Sequence, residues 1–297
     1  MPWSSQIESF VQDYFGDARP QHGSRSIDYY WERKRNLVLE LIRRHCRAIE
    51  LTTPHEPLFV DLGCGGGLDL ALIAAFLNQR PSSAVNGNRH GESRWRYVGI
   101  DGFPSQLEEC RSRFSRQSTR NLSVQAADIT ARLPLEDASV DVIYCSEVLE
   151  HLPDPNGVLS EMSRVVRPQG FALITTPNQP NIFQRSYWSK SRRAFMEAAA
   201  RAHEKYAEVN GERVRFYGHV TLKPAHLWDV EFAKHGFTVA DYYRGAITYG
   251  GAGLLSRTPI HQLRMAIERF IDLFPKRMTR EISDQVITLY RKTASPT

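Results

Sequence analysis

The stretch LFVDLGCGGGLDLALIAAF, residues 58–76, changes character twice. Leu58 to Leu62 is apolar except for Asp61, Gly63-Cys64-Gly65-Gly66-Gly67 follows, and LDLALIAAF then runs in a helical pattern. A short apolar run, a glycine turn and a helix make one strand-loop-helix unit. Glycines let the backbone turn sharply and approach a ligand closely, and the helix N-terminus behind them favours polar or anionic groups. A lone glycine-rich turn is weak as a signal, so its surroundings decide what it means.

Downstream, short apolar runs alternate with helical patterns: YVGID (97–101), SVQAAD (123–128), VDVIYC (140–145) and GFALITT (170–176). Such alternation predicts βαβ units and a parallel sheet. Pro224 opens a further helix that Gly236 ends, and FTVADYY (237–243) and QVITLYR (285–291) read as two more strands without a helical crossover of their own. The expected fold is therefore α/β: a seven-stranded, mostly parallel sheet with helices on both faces. Upstream, Ile27, Tyr30, Trp31, Leu37, Val38, Leu41, Ile42 and Ile49 recur at helical spacing behind Ser26, an N-cap residue. Residues 1–54 are thus expected as an N-terminal helical segment and 55–297 as the main domain.

Three insertions break the rhythm. Residues 79–94 precede the second strand and belong at the N-terminal edge of the sheet. Segments 179–218 and 244–284 follow the fifth and sixth strands, so both begin at the C-terminal edge, where open α/β sheets bind ligands; they are expected to form caps. In the second cap, Thr258 and Pro259 open a helix in which Ile260, Leu263, Ile267, Phe270, Ile271 and Phe274 share one face. This stripe is expected to pack inward as a lid, with a membrane-surface or dimer contact as the alternative.

Composition narrows the class. The chain has 297 residues, 41% of them apolar, enough for a large core. No apolar run is long enough to span a membrane, and MPWSSQIESF lacks the pattern of a signal peptide, so a cytoplasmic location is expected. Cys46, Cys64, Cys110 and Cys145 have no metal-binding or redox spacing and are expected as reduced thiols. The net charge of +5 is spread along the chain, which disfavours nucleic acid as a partner.

Three carboxylates sharpen the ligand reading. Asp61, Asp101 and Asp128 each close one of the first three strands, and an acid at the end of the second is placed to accept hydrogen bonds from ribose hydroxyls. The dinucleotide-oxidoreductase pattern, G-x-G-x-x-G with an acid ~20 residues on, does not fit. FVDLGCGGG, YVGIDGF, QAADITARLPLEDASVDVIYCSEVLEHL and VVRPQGFALITTPN resemble, in order, the motifs of class I S-adenosylmethionine-dependent methyltransferases, over about residues 55–178. The resemblance implies S-adenosylmethionine as cofactor and a sheet whose last strand is antiparallel. It also implies that Asp61 and the loop of Gly63, Cys64, Gly65 and Gly67 hold the methionine part. Asp101 and Gly102 would then lie at the ribose, Asp128 and Ile129 beside the adenine, and Ser146 at the cofactor edge.

The run CSEVLEHL, 145–152, follows the fourth strand at that edge. On a helix, Glu147, Glu150 and His151 would share a face, a set that suits a borderline divalent ion if another element supplies a further ligand. His219 is the candidate. E-x-x-E-H with a later histidine resembles ubiquinone-biosynthesis O-methyltransferases and small-RNA 3′-terminal 2′-O-methyltransferases, in which the resemblance implies a metal that activates substrate hydroxyls. Two readings stand beside a metal: His151 as a catalytic or positioning residue with Glu147 beside it, and a purely structural helix. Tyr187, Trp188, Phe216, Tyr217, Tyr242, Tyr243 and Tyr249 suit either a pocket for a bulky organic acceptor or core packing. The expected reaction is O-methylation of a hydroxyl or carboxyl on a small molecule or modified peptide. RNA 2′-O-methylation and a non-catalytic cofactor-binding module are the alternatives.

Overall fold

The computed structural model describes residues 2–15, 25–79, 94–116, 121–178, 205–209, 212–216, 219–247 and 258–294. Seven strands form the main sheet: β1 (Leu58–Leu62), β2 (Arg96–Asp101), β3 (Leu122–Ala126), β4 (Val140–Ser146), β5 (Val166–Pro177), β8 (Phe237–Arg244) and β9 (Gln285–Lys292). Their order is β3-β2-β1-β4-β5-β9-β8, and a separate hairpin pairs β6 (Lys205–Val209) with β7 (Glu212–Phe216). The first five strands pair in parallel, whereas β9 is antiparallel to both β5 and β8. All seven expected strands are present. The central ones are legible because strands covered on both faces read as apolar runs, and β1 is buried along its whole length; the edge strands β3 and β8 are partly exposed.

Strand order reverses between β1 and β4, which opens a crevice at their C-terminal ends. Helices cover both faces: α1 (Ser5–Phe15), α2 (Arg25–Leu41), α3 (Arg47–Thr52), α4 (Leu68–Asn78), α5 (Pro104–Arg116), α6 (Asn156–Val165) and α7 (Ala225–Lys234), with α8 (Thr258–Ile271) and α9 (Lys276–Thr279) late in the chain. Alternate side chains of β1 divide between two cores. Phe59 packs with residues of α1, α2 and α4, while Leu58, Val60 and Leu62 pack with residues of α6 and α7. The helices ahead of β1 therefore share a core with the sheet. The expected single helix there is interrupted by a π-helical turn, Ile42–Cys46, between α2 and α3. Helix α1 falls inside the expected helical segment 1–54, as a second helix ahead of the one read from Ser26, with Ile7, Val11 and Phe15, four residues apart, as its buried face.

The expected inward stripe of α8 is reversed. Arg264 and Glu268 are the buried residues of this helix, while of the expected stripe Leu263, Ile267, Phe270 and Phe274 are exposed and Ile260 and Ile271 half-buried. The reason is an ion network. Arg244 at the end of β8 donates to Glu268 at 2.5 Å and to Asp272 at 2.6 Å, and Arg33 of α2 donates to both oxygens of Asp272 at 2.7 and 3.1 Å. Charges that satisfy one another in this way can be buried, and they anchor α8 by its polar face. Among the aromatics read as either pocket or core, Tyr243 takes the core reading, beneath Lys276 at 3.7 Å from its ring centre. Tyr242 lies under Arg280. Tyr187, Trp188, Tyr217 and Tyr249 lie outside the described residues. All four cysteines are free and buried.

Candidate functional site

The glycine loop leaves β1 and folds back on β2, because the backbone N–H groups of Gly63 and Cys64 both donate to the Ile100 carbonyl, at 2.7 and 3.0 Å. Gly63 and Gly67 have φ of 80° and 72°, a left-handed conformation that favours glycine. A Cβ at Gly63 would strike Val148, and one at Gly67 would strike Cys110. Gly67 caps the N-terminus of α4, so the loop delivers a helix start to the crevice.

Asp101 holds this loop. Its Oδ2 accepts from Gly65 N–H at 2.8 Å and its Oδ1 from Phe103 N–H at 2.9 Å. Burial nevertheless raises its carboxyl above the ordinary value, against the lowering pull of these N–H groups and that of Gly102. Asp61 is buried at the end of β1, and desolvation, with Asp69 adding to it, pushes its carboxyl well above the usual range. Asp128, just past β3, accepts from Thr130 N–H and Oγ1 at 2.8 and 2.7 Å, and Ile129 beside it is buried. The three acids and the loop thus line successive strand ends, as expected from their order in the chain.

Sequence reasoning missed Lys34. It reaches across from α2 and donates to Asp69 in α4 at 2.7 Å and to Ser146 Oγ at 2.9 Å. Arg35 adds a bond to Asp69 at 2.9 Å. Burial opposes charge on Asp69, but these two cations outweigh it and hold its carboxyl far below the ordinary range. Ser146, expected at the cofactor edge, also shares a 2.8 Å hydrogen bond with Thr175. Three consecutive cations, Arg33-Lys34-Arg35, in a helix otherwise rich in core residues were the available signal.

The CSEVLEHL run is not the α-helix expected. Only Leu149–His151 is helical, as a single 3-10 turn. Glu147 has a φ of 56°, a left-handed setting that costs a residue with a side chain about 1–3 kcal/mol. It turns the chain, so Glu147 does not share a face with Glu150 and His151. Its N–H donates to the Thr175 carbonyl at 2.8 Å, while its Oε1 accepts from Thr175 Oγ1 at 2.9 Å and Gln285 Nε2 at 2.8 Å. The proposed metal set therefore loses Glu147.

The other three do meet. One ligand atom from each of Glu150, His151 and His219 lies within 4.8 Å of the others. Glu150 is fully buried; its Oε2 accepts from Thr176 Oγ1 at 3.2 Å, whereas Oε1 has no hydrogen bond and lies 3.8 Å from His151 Nε2. Burial, then the nearby Glu147, pushes the Glu150 carboxyl well up. The His151 and His219 ring centres are 4.9 Å apart, edge to face. His219 is held there because Val220 and Thr221 N–H groups donate to the Glu150 carbonyl at 2.8 and 3.0 Å. His219 is exposed at its surface, yet desolvation by the protein around it, and then the proximity of His151, pull it down to about 4, so it is neutral at neutral pH.

The family profile described as "Methyltransferase domain" matches residues 58–225, more than half of the chain. The chain belongs to the class I S-adenosylmethionine-dependent methyltransferases. Among relatives of this methyltransferase is a Mycolicibacterium smegmatis protein named a probable S-adenosylmethionine-dependent methyltransferase. It is 30% identical over 167 residues, 54% of this chain and 53% of that protein. A ubiquinone biosynthesis O-methyltransferase of Neisseria meningitidis is 26% identical over 120 residues, 40% of this chain and 44% of its own. The matched portions thus span about half the length of these relatives. In fold, the methyltransferase is similar to the solved geranyl diphosphate C-methyltransferase of Streptomyces coelicolor, with a TM-score of 0.51 at 13% identity over 99% of both chains. Among the described residues no helix is long and apolar enough to cross a membrane.

Proposed function

We propose that this methyltransferase transfers the methyl group of S-adenosylmethionine to an oxygen, a hydroxyl in the first instance, of a bulky organic small molecule or modified peptide. The observation that carries the reading is the orphaned, buried Oε1 of Glu150 beside two imidazoles at the C-terminal edge of β4. A carboxylate acceptor would need neither base nor metal, because the sulfonium is already an activated electrophile. The hydroxyl oxygen attacks the methyl carbon, the sulfur-carbon bond breaks with its electron pair passing to sulfur, and S-adenosylhomocysteine and the methyl ether result. The hydroxyl proton has to leave, and His151 is the acceptor nearest the buried carboxylate. The names of the ubiquinone O-methyltransferases support the oxygen acceptor and its bulk.

The donor set also fits a divalent ion. One buried carboxylate and two histidines suit Mn²⁺, Fe²⁺, Co²⁺ or Zn²⁺, and burial, then the nearby Glu147, raises the Glu150 carboxyl, which a bound cation would offset. When bound, such an ion lowers the proton affinity of a hydroxyl. Glu150, His151 and His219 would hold it, while Glu147 stays on Thr175 and Gln285. Asp101 would bind the ribose hydroxyls, Asp61 the methionine ammonium, and Asp128 with Ile129 the adenine side.

The test is transfer of labelled methyl to phenols, catechols and carboxylic acids, before and after chelation. The proposal predicts product with hydroxyl acceptors, loss of it with a chelator, recovery with Mn²⁺, Co²⁺ or Zn²⁺, and a higher metal requirement in His219→Ala. Activity indifferent to chelation but reduced roughly 100- to 10,000-fold in His151→Ala would make His151 the sole base. Methylation of carboxylates only, untouched by either change, would overturn the hydroxyl reading.

A further inference from the structure

We propose that the outer face of α8, continued through α9, rests on an anionic lipid bilayer. Six apolar side chains, Leu263, Ile267, Phe270, Leu273, Phe274 and Met278, are between 43% and 80% exposed. They are six of the ten large apolar residues exposed among the described residues, concentrated in residues 263–278. Single exposed apolar residues are ordinary, but a contiguous set is not. At 3.6 residues per turn, Leu263, Ile267 and Phe270 fall within about 60° of one another around the α8 axis, and Phe274 follows just past its end.

The charges decide what occupies this face. The acids of the segment from α8 to the start of α9, Glu268 and Asp272, are turned inward, where Arg244 and Arg33 neutralise them. Lys276 is drawn back to Asp241 at 2.9 Å. Arg269 and Arg277 are exposed, and neither is paired with a carboxylate among the described residues. The outward face is therefore apolar with a flank of one sign only. That combination defines a helix lying in a membrane interface, its apolar side chains among the acyl chains and its cations at anionic headgroups. A second copy of this chain would bring the same cations to the contact, and stable protein interfaces take about 20–30 residues a side, far more than this stripe supplies. The inversion of α8 reinforces the assignment, because the ion network of Arg33, Arg244, Glu268 and Asp272 holds the helix without using its apolar face. The inference does not depend on the methyl-transfer reading.

The experiment is co-sedimentation of the full chain with vesicles of phosphatidylcholine alone and of equal parts phosphatidylcholine and phosphatidylglycerol. The wild-type protein is expected to pellet with the anionic vesicles and not the neutral ones, and to be released by salt. Phe270→Ser with Phe274→Ser should weaken partitioning at least about tenfold, by removing two aromatic anchors. Arg269→Glu with Arg277→Glu should do the same through charge, and both double variants should keep the wild-type melting temperature because they alter exposed side chains. Absence of the wild-type protein from the anionic pellet, or undiminished binding by the double serine variant, would overturn the proposal. So would a dimer in sedimentation velocity that the serine variant dissolves, which would make a second copy the occupant. A fall in melting temperature in that variant would show instead that this chain's own residues cover the stripe.

Discussion

Replacing Asp69 with asparagine keeps the side-chain volume and removes the one anion shared by two buried cations. Asp69 accepts from Lys34 at 2.7 Å, Arg35 at 2.9 Å and Tyr144 Oη at 3.1 Å. The side chains of Lys34 and Arg35 are only 4% and 9% exposed, so water cannot replace the lost partner. Breaking a buried pair from one side costs about 3–5 kcal/mol, because the remaining charge stays desolvated. At about 2 °C per kcal/mol for a chain of this size, the melting temperature should fall by about 6–10 °C. The sign with pH follows from the depressed carboxyl of Asp69. Its stabilisation is fully present above the unfolded value of about 3.9 and is lost as pH falls through the lower folded value. Urea unfolding of both proteins should therefore show a wide gap at pH 7 that narrows in strong acid. A gap under about 1 kcal/mol at pH 7, or one of constant size down to pH 2, would refute the argument that charge pairing, rather than shape, makes Asp69 matter.

Two further outcomes bear on the cofactor. Asp101→Ala is expected to weaken S-adenosylhomocysteine binding by about 1.5–3 kcal/mol, through lost charge-assisted hydrogen bonds; an unchanged Kd in calorimetry would remove Asp101 from the ribose site. Because burial keeps the Asp61 carboxyl well above its usual range, an incoming ammonium should lower it again, so binding should release protons wherever the free carboxyl is still protonated, increasingly so as pH falls. Calorimetric enthalpies that vary with the ionisation enthalpy of the buffer would show this, and Asp61→Asn should abolish the variation; no variation in the wild-type protein would count against Asp61 as the ammonium partner.

The centre of the sheet was readable because β1, β2 and β4 are covered on both faces and so appear as apolar runs, whereas the edge strands β3 and β8 are half-exposed and were read by their place in the alternation. Asp61, Asp101 and Asp128 were readable for a related reason: each stands where such a run stops. What escaped depends on backbone settings or distant partners. Nothing in the letters of Glu147 shows its left-handed φ, and that single dihedral separates it from Glu150 and His151. The stripe on α8 obeys the usual rule for an inward face, and only the inward ions from other elements reverse it. Lys34 meets Asp69 across 35 residues of chain and Ser146 across 112, distances over which no local pattern speaks.

One series of contacts runs along the crevice from Asp69 to Lys34, Ser146, Thr175, Glu147 and Gln285. Its members come from α2 near the start of the described chain and from β9 near its end. Lys34 and Arg35 of α2 are made before their partner, Asp69 of α4. The series closes only when β9 inserts between β5 and β8, the two neighbours it pairs with. A chain lacking residue 285 would keep the glycine loop, all three acids and the Thr175 bond to Glu147, yet lose one of the two donors to that carboxylate. The contacts that complete the crevice are thus among the most distant in sequence, the kind that form slowly.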